Sequence, residues 1–188
     1  MKEIASVRHT VLFALLLTTL LGGCASISNF SCDMHESQTR GTKPVTTYTL
    51  TTHQGSTTAP RTLPAGSVAQ APIYKITFKP GFTKPCTTLI LHKNVTIERS
   101  NEADVILNEI REFYAENGTL ITTATQDISD QVRKSGTYVA TTPLPIPKSA
   151  PPGKYKIISK LMFERHGNRR PPILISRAEG AFYIIPLE

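Results

Sequence analysis

The chain has no tryptophan, only three cysteines and, in its 188 residues, no apolar run longer than the eleven from Val11 to Leu21. A helix needs about 20 apolar residues to cross a bilayer, so that run is too short to span one. Three cysteines allow at most one disulfide if one thiol is used elsewhere. The motifs of common catalysts are missing too: there is no Gly-x-Ser-x-Gly elbow, no phosphate-binding Gly-Lys-Ser/Thr loop and no dinucleotide glycine fingerprint. His35-Glu36-Ser37-Gln38-Thr39 begins like a zinc-protease helix but has Thr39 where the second histidine is required. Cys32 and His35 offer two metal ligands without an obvious second pair. These absences favour a protein that does no chemistry and holds neither metal nor cofactor. A hydrolase assembled from distant residues is the minor alternative, drawing on His92, Asp104, Glu109, Glu112 and His166; Glu109, Arg111 and Glu112 read instead as the exposed positions of a strand.

The amino terminus is the most informative segment present. Lys2 and Arg8 precede the uncharged run, and the small residues Gly22 and Gly23 follow it, which is the three-part layout of an export signal. At Leu21-Gly22-Gly23-Cys24 the sequence resembles the lipobox of bacterial lipoproteins. That resemblance covers residues 1–25 and implies cleavage before Cys24, acylation of Cys24 and a membrane hold through its acyl chains. Ala25 stands where an aspartate tends to retain such proteins at the inner membrane, so the resemblance implies the outer membrane, facing the periplasm. Gly23-Cys24-Ala25 also fits ordinary secretory cleavage, which would release a soluble protein starting at Ser26.

With residues 1–23 removed, 165 residues remain, enough for one domain and a tether. If lipid occupies Cys24, Cys32 and Cys86 form one candidate pair in an oxidising compartment, the alternative being two unrelated thiols. The charge is uneven: from Lys148 onward eight Lys or Arg stand against three Glu. Such a bias suits an anionic glycan, a lipid headgroup or an acidic protein, and equally a solvated strand face that uses lysines against edge aggregation.

Residues 24–44 are polar and unpatterned and read as a flexible lipidated tether, with 45–72 as an arm or edge strand plus loop and 73–188 as the folded domain. Threonine and proline are plentiful. Alternation at Tyr74-Lys75-Ile76-Thr77-Phe78, β-prone runs from Thr88, Thr119, Gly136 and Lys154, and turn residues between them predict seven or eight short strands. Asp104–Ala115 suits a helix or a strand, and the turn pair Asn117-Gly118 just after it favours a strand in a hairpin. The fold class expected is therefore all-β, a two-sheet sandwich. At Gly153-Lys154-Tyr155-Lys156-Ile157 the sequence resembles the corner of immunoglobulin-like sandwiches, where a tyrosine hydroxyl bonds back to nearby backbone. Ile157 occupies the place of the antibody cysteine and tryptophan is absent, which excludes the antibody disulfide framework.

A basic loop carrying Arg165, His166, Arg169 and Arg170 is the candidate contact surface, since guanidinium pairs suit phosphate or carboxylate. The function expected is a lipid-anchored, non-catalytic binding or assembly module of an envelope complex. Its partners would be the membrane, an envelope protein joined by strand addition, or an anionic glycan or lipid, and no nucleic acid.

Overall fold

The computed structural model describes residues 23–53, 63, 67–100, 105–165, 167 and 171–187. The chain divides into two compact units between Arg40 and Gly41. In the first, the stretch expected to be a tether forms a helix, α1 (Gly23–Thr39). Between Ala25 and Thr39 there is no glycine or proline to break it, and Ser37 and Thr39 donate their hydroxyls back to the Met34 and His35 carbonyls, both at 2.8 Å. Gly41, at φ 76°, takes the left-handed conformation that commonly ends a helix. The sequence reading passed over that stop.

The second unit is all-β. Its strands are β1 (Thr47–His53), β2 (Ala69–Phe78), β3 (Phe82–Thr83), β4 (Thr88–Arg99), β5 (Val105–Ala115), β6 (Leu120–Asp127), β7 (Gly136–Pro145), β8 (Gly153–Arg165) and β9 (Ile173–Ile184). They form a four-stranded sheet, order β1-β7-β4-β2, and a five-stranded sheet, order β3-β9-β8-β5-β6, packed face to face as an immunoglobulin-like β-sandwich. Every pairing is antiparallel except the two-residue β3, which runs parallel to β9. One detail of this unit differs from the sequence reading, and one open choice is decided as the Asn117-Gly118 pair favours. The domain starts before residue 73: β1 pairs with β7 from Thr47, and Val68, Ala69 and Ala71 are already buried. Residues 105–115 are a strand, turned into β6 at Glu116–Thr119, where Gly118 takes φ 82° and its N–H donates to the Ala115 carbonyl at 3.0 Å.

Period-two burial explains why these sequences pair as they do. Tyr74, Ile76 and Phe78 of β2, Leu89, Leu91, Val95 and Ile97 of β4, and Tyr138, Ala140 and Leu144 of β7 turn inward from one sheet. Ile157, Leu161 and Phe163 of β8 and Ala178, Phe182 and Ile184 of β9 meet them from the other. One end is plugged by Ile128 and Val132 from the β6–β7 connection, both essentially inaccessible.

β9 passes close over β2 at Gly180, where an added Cβ would lie 3.2 Å from the Phe78 ring and 3.3 Å from Ile76 Cγ1. Gly180→Val is therefore expected to cost about 1–3 kcal/mol by overpacking. Gly81→Ala, with nothing within 4 Å of the new Cβ, stays within about 0.5 kcal/mol of the parent. Urea midpoints at unchanged m-value measure both.

Candidate functional site

β5 shows the sharpest departure from the sequence reading. Glu109 and Arg111 do not lie on the exposed face; they share the inward phase of Val105 and Leu107 and are 0% and 1% exposed. Across the sandwich, Lys93 stands in the inward phase of Leu91 and Val95 on β4 and is 3% exposed. A charged side chain is rarely this buried unless it is paired. Lys93 Nζ donates to Glu109 Oε1, and Arg111 Nη1 lies 3.7 Å from Glu109 Oε2.

Thr46, just ahead of β1, is the hub between the sheets. Its hydroxyl lies 2.9 Å from Glu109 Oε2 and 2.7 Å from Thr142 Oγ1, and accepts from Lys93 at 2.7 Å and from Arg111 Nη1. Its backbone N–H donates to Gln126 Oε1 at 2.7 Å, and its carbonyl accepts from Gln126 Nε2 at 2.8 Å. Ser159 donates to Glu109 at 2.6 Å. The Tyr74 hydroxyl is 2.9 Å from Glu109 and 2.7 Å from Ser159, and its one hydrogen serves one of the two. Arg111 Nη2 donates to the Pro44 carbonyl at 2.7 Å. Arg111 Nε is buried with no hydrogen-bond partner.

Burial lowers the Lys93 ammonium to about 8, with Glu109 opposing the shift. Burial also pushes Glu109 up, but Lys93 and Arg111 outweigh it and hold the carboxyl below its ordinary value. Burial, then the Glu109 charge, raises Tyr48 and Tyr74 well above the usual phenol. At neutral pH the cluster thus holds two cations, one anion and two neutral phenols, a surplus of one positive charge. All three ionised members are buried.

Beside the cluster, between the sheets at the end away from Ile128, lies a cleft of about 720 Å³. Phe113, Leu144, Ile146, Tyr155, Phe182 and Ile184 give it apolar walls, and Ile121–Gln126 of β6 line one side. Its charged lining residues are Lys43, Arg111 and Lys156, with no Asp, Glu or His. Tyr155 stacks on Phe182 with ring centroids 5.6 Å apart, and its hydroxyl donates to the Pro151 carbonyl at 2.7 Å, two residues before Gly153.

The other residues singled out in the sequence do not gather here. Arg165 is exposed at the end of β8, while His166, Arg169, Arg170, Asp104 and the signal segment through Gly22 lie outside the described residues. Cys24 falls within α1. Cys32 and Cys86 are each disulfide-bonded. His92, half-exposed, alternates with Lys93 and so faces away from the core. Glu112 is held below its ordinary value by a hydrogen bond from Lys160 on the outer face of the other sheet. His92, Glu109 and Glu112 therefore do not converge. Among the described residues no three His, Cys, Asp or Glu are placed to hold a metal, and no helix is long and apolar enough to cross a membrane.

Two measurements test the cluster. Glu109→Gln strands two buried cations and should cost about 3–5 kcal/mol, whereas Lys93→Met leaves a balanced Arg111–Glu109 pair and should cost clearly less. In the parent, the unfolded chain holds its Lys93 proton up to pH ~10.4, while the folded protein releases it near 8. The unfolded state binds more protons in that window, so this group makes stability rise with pH, on the order of 1–2 kcal/mol from 8 to 10. Above about pH 10 the raised phenols Tyr48 and Tyr74 reverse the trend. Urea unfolding at stepped pH should show the rise in the parent and not in Lys93→Met.

No family model and no curated protein matches the chain. Among solved structures, it is similar to a family 123 glycoside hydrolase from Clostridium perfringens at 12% identity and TM-score 0.33, over 61% of this chain and 23% of that one. It is similar to the CARDB domain of the PF1109 protein from Pyrococcus furiosus at 13% identity and TM-score 0.34, over 64% and 90%. It is also similar to the CooA pilin subunit from enterotoxigenic Escherichia coli at 8% identity and TM-score 0.32, over 64% and 100%. The chain spans about a quarter of the length of the glycoside hydrolase it resembles.

Proposed function

We propose that this chain is an outer-membrane lipoprotein, anchored through Cys24 and facing the periplasm, whose sandwich is a non-catalytic module that joins an envelope complex by strand addition. The lipobox residues support the anchor, and the observation that carries the module is the free edge of β6. From Leu120 to Gln126 this edge strand has no charge and no proline, and Leu120 and Ile121 are 50% and 54% exposed. Natural sheets blunt such edges with lysine, proline or bulges, because unpaired backbone groups recruit another strand. β2, at the far edge of the other sheet, carries Pro72 and Lys75; both edge strands have one register shift, at Gln70–Ile73 in β2 and at Ile121 in β6, so the proline and the lysine are what set β2 apart. On the near side, the Gln126 and Gln131 side chains occupy the backbone groups of Thr46 and Tyr48, blunting the start of β1. Among the described residues no strand pairs with the outer edge of β6, and strand addition draws its affinity from such main-chain groups. Pairing of Cys32 with Cys86 belongs to the same reading and would close a loop worth roughly 4 kcal/mol by chain entropy.

In a bacterial host with its lipoprotein pathway intact, the protein should start at Cys24, carry the mass of a diacylglyceryl group and an acyl chain, and partition with membranes; Cys24→Ala should lose all three. A photo-crosslinking residue at Ile121 should form an envelope adduct that Thr123→Lys in the same chain abolishes at unchanged thermal stability. A soluble chain beginning at Ser26 would sink the anchor, and crosslinking indifferent to Thr123→Lys would sink the strand-addition module.

A further inference from the structure

The cleft at the open end of the sandwich is larger than a packed core leaves by accident. Protein interiors hold few voids bigger than a water molecule, and about 720 Å³ falls within the roughly 300–1,000 Å³ typical of ligand sites. We propose that it binds an anionic amphiphile, a single aliphatic chain ending in a carboxylate. This goes beyond the strand-addition reading and does not depend on it.

The walls select the chain. Phe113, Leu144, Ile146, Phe182 and Ile184 offer apolar surface. The two largest neutral polar groups facing this wall are engaged elsewhere, the Tyr155 hydroxyl with Pro151 and the Gln126 amide with Thr46, which leaves small threonine and serine hydroxyls. The charges select the head group. Three cationic residues and no acidic one line the cleft. One of them, Arg111, is 1% exposed and belongs to the cluster in which Lys93 and Arg111 face Glu109 alone. Its Nη1 and Nη2 are engaged, and its Nε is a buried donor without a partner. A buried donor left unmet costs about 1–3 kcal/mol, and a surplus charge in a low-dielectric interior attracts an anion far more strongly than one in water. One carboxylate carries the single negative charge that balances the surplus.

The test is a fluorescence titration of the full chain carrying Cys24→Ser, which removes covalent acyl chains as competitors, with cis-parinaric acid as probe. The expected result is saturable binding of one probe per chain at micromolar concentration, displaced by stearate, with parinaric methyl ester at least tenfold weaker. Ala124→Trp and Thr122→Trp, which fill the cleft from β6, should each abolish binding at an unchanged thermal midpoint. Lys93→Met, which removes the surplus charge, should weaken the acid about tenfold and leave the ester unmoved. Absence of saturation, equal affinity for acid and ester, or full binding in both tryptophan variants would overturn the proposal. Displacement by phosphatidylglycerol vesicles would overturn a free acid as the ligand in favour of a membrane phospholipid.

Discussion

The buried ion cluster of Lys93, Glu109 and Arg111 around Thr46 is the constraint on which the rest of the sandwich depends. Its members come from both sheets: Lys93 and Thr142 from one, Glu109, Arg111, Ser159 and Gln126 from the other, with Thr46 between them. Burying an ion pair gains little net stability, because desolvation offsets much of the attraction, yet removing one partner is costly. The cluster therefore acts more on register than on net stability. A one-residue slip of β4 or β5 would turn Lys93 or Glu109 to solvent and leave the opposite charge buried alone.

The same cluster divides the interior. Towards the β6–β7 connection, Val95, Ile97, Leu107, Ile128 and Val132 pack into a dry core with almost no accessible surface. Towards the β8 corner, Phe113, Leu144, Tyr155 and Phe182 stand around the cleft. Arg111 belongs to both settings, bound into the cluster through its terminal nitrogens and forming part of the cleft wall. Stability thus concentrates at one end of the sandwich and open volume at the other, the division expected when a rigid scaffold carries a binding end.

Much of the fold is legible in the sequence because it rests on period-two alternation and turn chemistry. Tyr74-x-Ile76-x-Phe78 and the Asn117-Gly118 turn specify β2 and the β5–β6 hairpin by local signals. The ion cluster escaped for a physical reason. In Val105-x-Leu107-x-Glu109-x-Arg111-x-Phe113 the charged residues hold the phase of the apolar ones, and the competing phase, Ile106 and Ile110, is equally hydrophobic. Only a counter-charge decides between the phases, and it lies on β4 as Lys93, in phase with Leu91 and Val95. An in-phase charge on each of two apolar strands was the available signal. The helix α1 escaped because its serine-rich sequence is only weakly amphipathic, and its stop, Gly41, stands three residues before Pro44 in a stretch that reads as ordinary loop.

β6 links the two readings of function mechanically. Its outer edge is open to a partner's backbone, and its residues Ile121–Gln126 line the cleft. It is held to the fold by one ladder, with β5, and by the paired amide bonds of Gln126 to Thr46. An edge strand held on one side keeps more freedom than a central strand, and ordering it costs conformational entropy of about 1–2 kcal/mol per residue fixed. Whatever fills the cleft restrains the inner face of β6 and so meets part of that cost in advance, leaving less for a partner strand at its edge. If the cleft takes a ligand and the edge takes a strand, as proposed, the two would favour one another through the order of a single strand.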